Sequence, residues 1–145
     1  MPTFTGVSHV DLTVTDAERS AAWYKQVLGL DQLHSTDSPD TFEGRMINLV
    51  HPSTSLIVSV IKHEKAEPGA FSEFRVGLDH LAFTVGARAD LDSWVEHFDS
   101  LGVNHSGIND MGYGSVLVFR DPDGIQLELF CFTPAGAATV SEVSG

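Results

Sequence analysis

The sequence predicts an α+β fold built from two βαβββ modules, paired so that a cleft opens between their sheets. Three observations carry that prediction. The first is an internal repeat. Gly6-Val7-Ser8-His9-Val10-Asp11-Leu12-Thr13-Val14 is echoed by Gly77-Leu78-Asp79-His80-Leu81-Ala82-Phe83-Thr84-Val85, and His80 follows His9 by 71 residues. The same offset aligns Trp23 with Trp94, Leu30 with Leu101, and His34-Ser35 with His105-Ser106. Trp and His are scarce residues, so agreement at these positions marks a duplication, and a repeat governs the fold assignment. The second observation is the period-2 alternation of both copies, which indicates half-buried strands. The third is the helical spacing of apolar residues that follows each copy.

In residues 7–14, Val10, Leu12 and Val14 fall on one face and His9, Asp11 and Thr13 on the other. Asp16 then offers an N-cap. Ala17 to Leu28 reads as a helix, with Ser20, Tyr24, Val27 and Leu28 on one stripe, Trp23 beside it, and Gly29 placed to stop it. Leu30 to Phe42 reads as a strand followed by a polar loop. Met46–Val50 and Leu56–Ile61 read as strands joined by the turn His51-Pro52-Ser53-Thr54.

The second half follows the same order. Leu78 to Val85 is a strand. Leu91, Trp94, Val95, Phe98 and Leu101 have helical spacing, closed by Gly102. Ser115 to Phe119 is a strand, Asp121-Pro122-Asp123-Gly124 a strong turn, and Ile125 to Phe132 the last strand. Module one runs from about 5 to 62 and module two from about 77 to 132 in a single domain of 145 residues. The connector, Lys62 to Val76, is charged and contains Pro and Gly. Thr133 to Gly145 reads as a frayed tail. The burial expected for this arrangement includes Leu12, Val14, Val27, Leu81, Phe83, Val85, Phe98, Leu127 and Leu129, with Trp23 and Trp94 anchoring the helices in the core.

Composition narrows the function. The net charge of −12 comes from 20 acidic and 8 basic side chains. Such a field repels phosphate backbones, which argues against nucleic acid as partner. No apolar run approaches the eighteen or so residues of a membrane span, and the N-terminus shows no signal-peptide pattern. Cys131 is the only cysteine, so no internal disulfide can form; a packed strand residue in a reducing cytoplasm is the expectation.

The repeat brings two histidines to the face opposite the helix. A third candidate comes from the last strand, where Ile125, Leu127 and Leu129 alternate with Gln126, Glu128 and Phe130. Glu128 shares the cleft-side parity of the histidines. Two imidazoles and one carboxylate form a three-ligand set with metal positions left open for water or substrate. Taken singly, each residue has an ordinary structural role: a strand histidine is commonly hydrogen-bonded and a glutamate commonly solvated. The repeat, the shared parity and the carboxylate together favour metal. Asp11 lies on the face of His9, either as a solvated edge carboxylate or as a hydrogen-bond partner or base. Tyr113 and Asn109 are placed on the glycine-containing loop before the final hairpin. His51 and His63 lie at strand ends and read as surface residues; His34 and His105 follow the helix-closing turns, which argues for structural roles.

Four segments resemble the vicinal oxygen chelate superfamily, which comprises glyoxalase I, extradiol dioxygenases, and the fosfomycin and bleomycin resistance proteins. They are Gly6 to Val10, Trp23 to Leu30, Gly77 to His80, and Phe119 to Leu129; the last is the most specific. The resemblance covers residues 5 to about 132. It implies paired βαβββ modules with curved mixed sheets, a divalent metal held by His9, His80 and Glu128, a small-molecule substrate and a homodimer. Iron(II), manganese, nickel and zinc all suit two histidines and a carboxylate.

Departures from the resemblance bear on the chemistry. Glyoxalase I has a further carboxylate or amide ligand on the last strand of its first half. Counting from Pro52 as Glu128 is counted from Pro122 reaches Val58, with Ser59 next if the register slips. Extradiol dioxygenases carry a tyrosine about ten residues before the glutamate, where this chain has Val118. The fosfomycin resistance proteins surround their anionic drug with basic residues that this acidic chain lacks. Three functions follow: a metal-dependent lyase, isomerase or dioxygenase, with Asp11 and Tyr113 as candidate catalytic groups; a metal-independent dimer sequestering a small, drug-like ligand, for which the acidic charge suits a cation; or a structural or regulatory pair of modules.

Overall fold

A computed structural model describes residues 2, 4–33 and 43–144. The expectations for His34 and for the loop to Phe42 lie outside the described residues. The chain divides into two compact units, Met1–Ala70 and Phe71–Gly145. No helix among the described residues is long and apolar enough to cross a membrane.

Unit 1 contains β1 (His9–Thr13), α1 (Ala17–Leu28), β2 (Asp31–Gln32), β3 (Gly44–Val50) and β4 (Ile57–His63). The sheet order is β1-β4-β3-β2, with β1 parallel to β4 and the other pairs antiparallel. The helix begins where its sequence says it should: the Asp16 carboxylate accepts the Arg19 N–H at 2.9 Å. It ends at Gly29, whose φ of 67° is left-handed and whose N–H reaches the Lys25 carbonyl. Ser20, Tyr24, Val27 and Leu28 are buried where α1 meets β3 and β4, whose Ile47, Leu49, Val58 and Val60 form the rest of this core.

Unit 2 contains β5 (Leu81–Thr84), α2 (Arg88–Leu101), β6 (His105–Met111), β7 (Gly114–Arg120), β8 (Gln126–Phe132) and α3 (Pro134–Ser144). Its sheet order, β5-β8-β7-β6, reproduces that of unit 1, again with the first and last strands of the βαβββ segment parallel. Leu91 and Phe98 of α2 bury against Leu117, Phe119, Leu127 and Leu129, and the Phe98 and Phe119 rings lie 4.6 Å apart. Gly102 closes α2 with a φ of 66°, the counterpart of Gly29.

The turn into β8 is built by a buried aspartate. Asp121 Oδ1 accepts the N–H groups of Asp123 at 2.9 Å and Ile125 at 2.8 Å, while Gly124 takes a φ of 82°. An aspartate bonding the backbone two residues on holds a turn without help from neighbours. It thereby sets which residues of β8 face the helix.

Several expectations are corrected. Trp23 and Trp94 are half-buried and do not anchor the core. Tyr24 and Phe98 take the inward positions, and each tryptophan lies along the flank of its helix. Leu81, Phe83 and Val85 are also only half-buried, because β5 is an edge strand and α2 packs against β6, β7 and β8. Asn109 lies within β6, paired with Val116, rather than on a loop. Residues 134–144, expected to fray, form α3. Its alanines favour helix, and Gly136 lets it approach so closely that a side chain there would strike the Tyr113 carbonyl. His51 and His63 do lie at strand ends but are half-buried rather than on the surface.

Candidate functional site

α1 and α2 each pack on one face of their sheet, and every candidate residue of β1 and β8 lies on the opposite, open face. In unit 1 the parallel register pairs His9 with Ile57 and Asp11 with Ser59. In unit 2 it pairs Leu81 with Leu127 and Ala82 with Glu128. The repeat makes Ala82 the counterpart of Asp11. The counterpart of Glu128 is therefore Ser59 and not Val58, which the count from Pro52 had reached. Val58 is fully buried on the helix side; Ser59 is buried on the other. In each unit the repeated histidine thus shares its open face with a carboxylate, but on different strands: Asp11 on the first strand of unit 1, Glu128 on the last of unit 2.

The two histidines are held alike. His80 Nδ1 lies 2.7 Å from Asp79 Oδ1, and His9 Nδ1 lies 2.6 Å from Ser8 Oγ. Ser8 and Asp79 are themselves repeat counterparts. With Nδ1 engaged, each ring turns Nε2 toward a carboxylate. His80 Nε2 is 3.5 Å from Glu128 Oε2, and the Glu128 side chain is only 15% exposed. His9 Nε2 is 4.0 Å from Asp11 Oδ2. Asp11 is thus not the Nδ1 partner of His9; its carboxylate stands on the Nε2 side of the ring.

The His80–Glu128 geometry fits a shared cation. A neutral imidazole whose Nδ1 donates to Asp79 presents a bare lone pair at Nε2, and Glu128 presents another. Two ligands each about 2.1 Å from a tetrahedral ion would stand about 3.4 Å apart. Unit 2 therefore sets two side chains of metal-ligating type next to each other. Among the described residues no three His, Cys, Asp or Glu side chains are grouped to hold a metal ion.

Beyond Glu128, Phe130 continues the same face. Tyr113, in the hairpin between β6 and β7, stacks on it at 6.0 Å and 25°, and Phe132 meets it edge-on at 4.7 Å. Gly114 makes room for the Phe130 ring, which a Cβ there would strike. The Thr133 N–H donates to the Tyr113 carbonyl at 3.0 Å, so the start of α3 fixes the hairpin. Val118 stands directly across from Glu128. Arg120, a cation on this face, is tied to Glu73 at 2.7 Å, Gln126 at 3.0 Å and the Gly124 carbonyl at 2.8 Å. Its guanidinium holds the Glu73 carboxyl below the ordinary glutamate value.

The other singled-out residues are structural. His105 accepts the Gly107 N–H at Nδ1 and faces Asp99 through Nε2 at 3.2 Å. His51 faces Thr54 Oγ1 at 3.1 Å within its turn. Cys131 is buried in β8. The sequence reading missed Ser8 and Asp79. The signal was present, since each directly precedes its histidine at the same repeat offset.

Residues 6–129 match the family model of the Glyoxalase/Bleomycin resistance protein/Dioxygenase superfamily. The chain belongs to that superfamily. Among relatives, it is 28% identical over 134 residues to "Putative ring-cleaving dioxygenase MhqA" of Bacillus subtilis (strain 168). That match covers 86% of this chain and 39% of the relative, so the chain spans about two fifths of that protein's length. Among solved structures, a glyoxylase/bleomycin resistance protein/dioxygenase domain from Frankia sp. EAN1pec is 32% identical with a TM-score of 0.81, covering 91% of this chain and 95% of that one. An E126Q mutant of the fosfomycin resistance protein FosX from Listeria monocytogenes, complexed with Mn(II) and a dihydroxypropylphosphonic acid, has a TM-score of 0.68 at 18% identity, covering 94% and 99%. At that identity the likeness is one of fold. The superfamily includes enzymes named as dioxygenases and as lactoylglutathione lyase.

Proposed function

We propose that this superfamily member is a metal-dependent enzyme acting on a small substrate chelated through two neighbouring oxygens. His9, His80 and Glu128 hold a divalent cation, either iron(II), manganese, nickel or zinc, and His9 comes from the same chain or from a second copy in a homodimer. The observation that carries the reading is the 3.5 Å approach of His80 Nε2 to Glu128 Oε2, with Asp79 behind the ring. The cation would act as a Lewis acid on the substrate oxygens. Asp11, on the Nε2 side of His9, is the base that takes a proton from a substrate hydroxyl. Tyr113 flanks the substrate with Phe130. The buried, single Cys131 suits a cytoplasmic protein.

Ring-cleaving dioxygenation is the favoured chemistry. The aromatic wall of Tyr113, Phe130 and Phe132 on the face of Glu128 suits a planar diol ring, and the similarity to MhqA points the same way. Ser59 in place of a fourth ligand disfavours glyoxalase-type isomerisation. The test loads the protein with each metal in turn and follows O₂ uptake across a panel of catechols and hydroquinones. Uptake of one O₂ per ring consumed is expected. Oxygen-independent turnover would point to a lyase or isomerase. Tight binding of a cationic ligand by metal-free protein, with no turnover, would favour sequestration.

A further inference from the structure

The Nδ1 contacts of the two histidines differ in one chemical respect. An ionised carboxylate can only accept a hydrogen bond, whereas a hydroxyl can donate or accept. Asp79 Oδ1 at 2.7 Å from His80 Nδ1 therefore requires a proton on Nδ1. Ser8 Oγ at 2.6 Å from His9 Nδ1 requires nothing of that ring. A free neutral imidazole ordinarily carries its proton on Nε2. In His80 that proton would occupy the atom facing Glu128.

We propose that Asp79 is a positioning residue that locks His80 in the Nδ1–H tautomer and so presents a bare Nε2 beside Glu128, making His80 the dominant imidazole ligand. His9, backed only by a hydroxyl, adapts to whatever its Nε2 meets. This rests on the metal reading above. A carboxylate behind a ligating imidazole fixes ring orientation and raises basicity; its loss typically lowers metal affinity about 10–100-fold. The asymmetry is internal to the repeat, so each copy is the other's control.

The experiment has two readouts on metal-free protein and on Zn(II) alone. Long-range ¹H–¹⁵N correlation of ¹⁵N-histidine protein, followed up a pH series until the ring signals stop changing, reports the tautomer of the neutral ring. Competition with a chromophoric chelator reports Zn(II) affinity. Wild type should show His80 as Nδ1–H, and Asp79→Ala should shift it toward Nε2–H with affinity about 10–100-fold lower. Asp79→Asn, which keeps an acceptor without charge, should fall between. Ser8→Ala should change affinity less than about threefold, below the range expected for an outer carboxylate. An Nε2–H tautomer in wild type, or Asp79→Ala binding Zn(II) as wild type does, overturns the proposal. Wild type that binds no metal but shows an Nδ1–H signal lost in Asp79→Ala would sink the metal reading and leave the orienting role of Asp79 intact.

Discussion

Ser59 and Glu128 occupy the same station in their respective sheets. Each sits on the last strand of its βαβββ segment, opposite the residue two places beyond the repeated histidine: Asp11 for Ser59, Ala82 for Glu128. One copy keeps its carboxylate on the last strand and the other on the first. The duplication has thus yielded two unlike halves, one setting a histidine 3.5 Å from a half-buried glutamate and the other a histidine 4.0 Å from an exposed aspartate. The chemical division proposed here follows from that asymmetry: Glu128 binds, Asp11 moves a proton.

If Asp11 is the base, Asp11→Asn should retain metal at wild-type stoichiometry while turnover of the substrate found in the screen falls by about 10²–10⁴. Metal content by elemental analysis and kcat measured together check this. Loss of metal with loss of activity would instead make Asp11 a ligand.

Phe98→Ala should cost about 3–5 kcal/mol, the usual range for emptying a buried aromatic site. Trp94→Ala, at a half-buried position, should cost clearly less. Urea midpoints at unchanged m-value measure both. Equal losses would restore Trp94 to the core.

Gly136→Ala should destabilise unit 2 by about 1–3 kcal/mol, as overpacking does, because the added methyl meets the Tyr113 backbone carbonyl rather than a flexible side chain. Hydrogen exchange at the Thr133 and Ala137 amides, which anchor the start of α3, should accelerate. Unchanged exchange would show that α3 does not hold the hairpin.

Arg88 clasps Asp110 at 2.7 Å through Nε, and Ser115 donates to the same carboxylate at 2.6 Å. Arg88 first and Ser115 second hold the Asp110 carboxyl below its ordinary value of 3.8. A depressed native value means the contribution is complete above the unfolded-state value and vanishes as pH falls through the native one. The stability gap between wild type and Asp110→Asn should be flat from about pH 8 to 5 and close on acidification below about 4. Because both side chains are exposed, salt should narrow it at neutral pH. A gap that widens in acid contradicts the assignment.

Much of this was legible in the chain. The offset between His9 and His80 exposed the duplication, and period-2 alternation put His9, Asp11 and Glu128 on the open faces, because parity on a strand is fixed by geometry alone. Loop length was not legible. The turn between β3 and β4 reaches its left-handed residue at Ser55, three beyond Pro52, whereas the later turn reaches Gly124 two beyond Pro122. Serine gives little warning of a positive φ, and the one extra residue moved the count from Ser59 to Val58. The tryptophans misled for another reason. Rarity marked them as repeat landmarks, but the helix stripes are completed by Tyr24 and Phe98, and large aromatic rings at the flank stay partly exposed. The Nδ1 partners, Ser8 and Asp79, were marked by their repeat positions beside the histidines, but strand alternation puts adjacent residues on opposite faces and so gave no reason to pair them.

The central claim is that His80 and Glu128 hold a metal together with His9. It is tested most directly by equilibrium dialysis of the full chain against Mn(II) and Zn(II), with bound metal counted by elemental analysis for wild type, His9→Ala, His80→Ala and Glu128→Gln. One ion per chain in wild type, and loss of stoichiometric binding in all three folded variants, is the predicted result. Stoichiometric binding that persists in His80→Ala or Glu128→Gln would contradict the account.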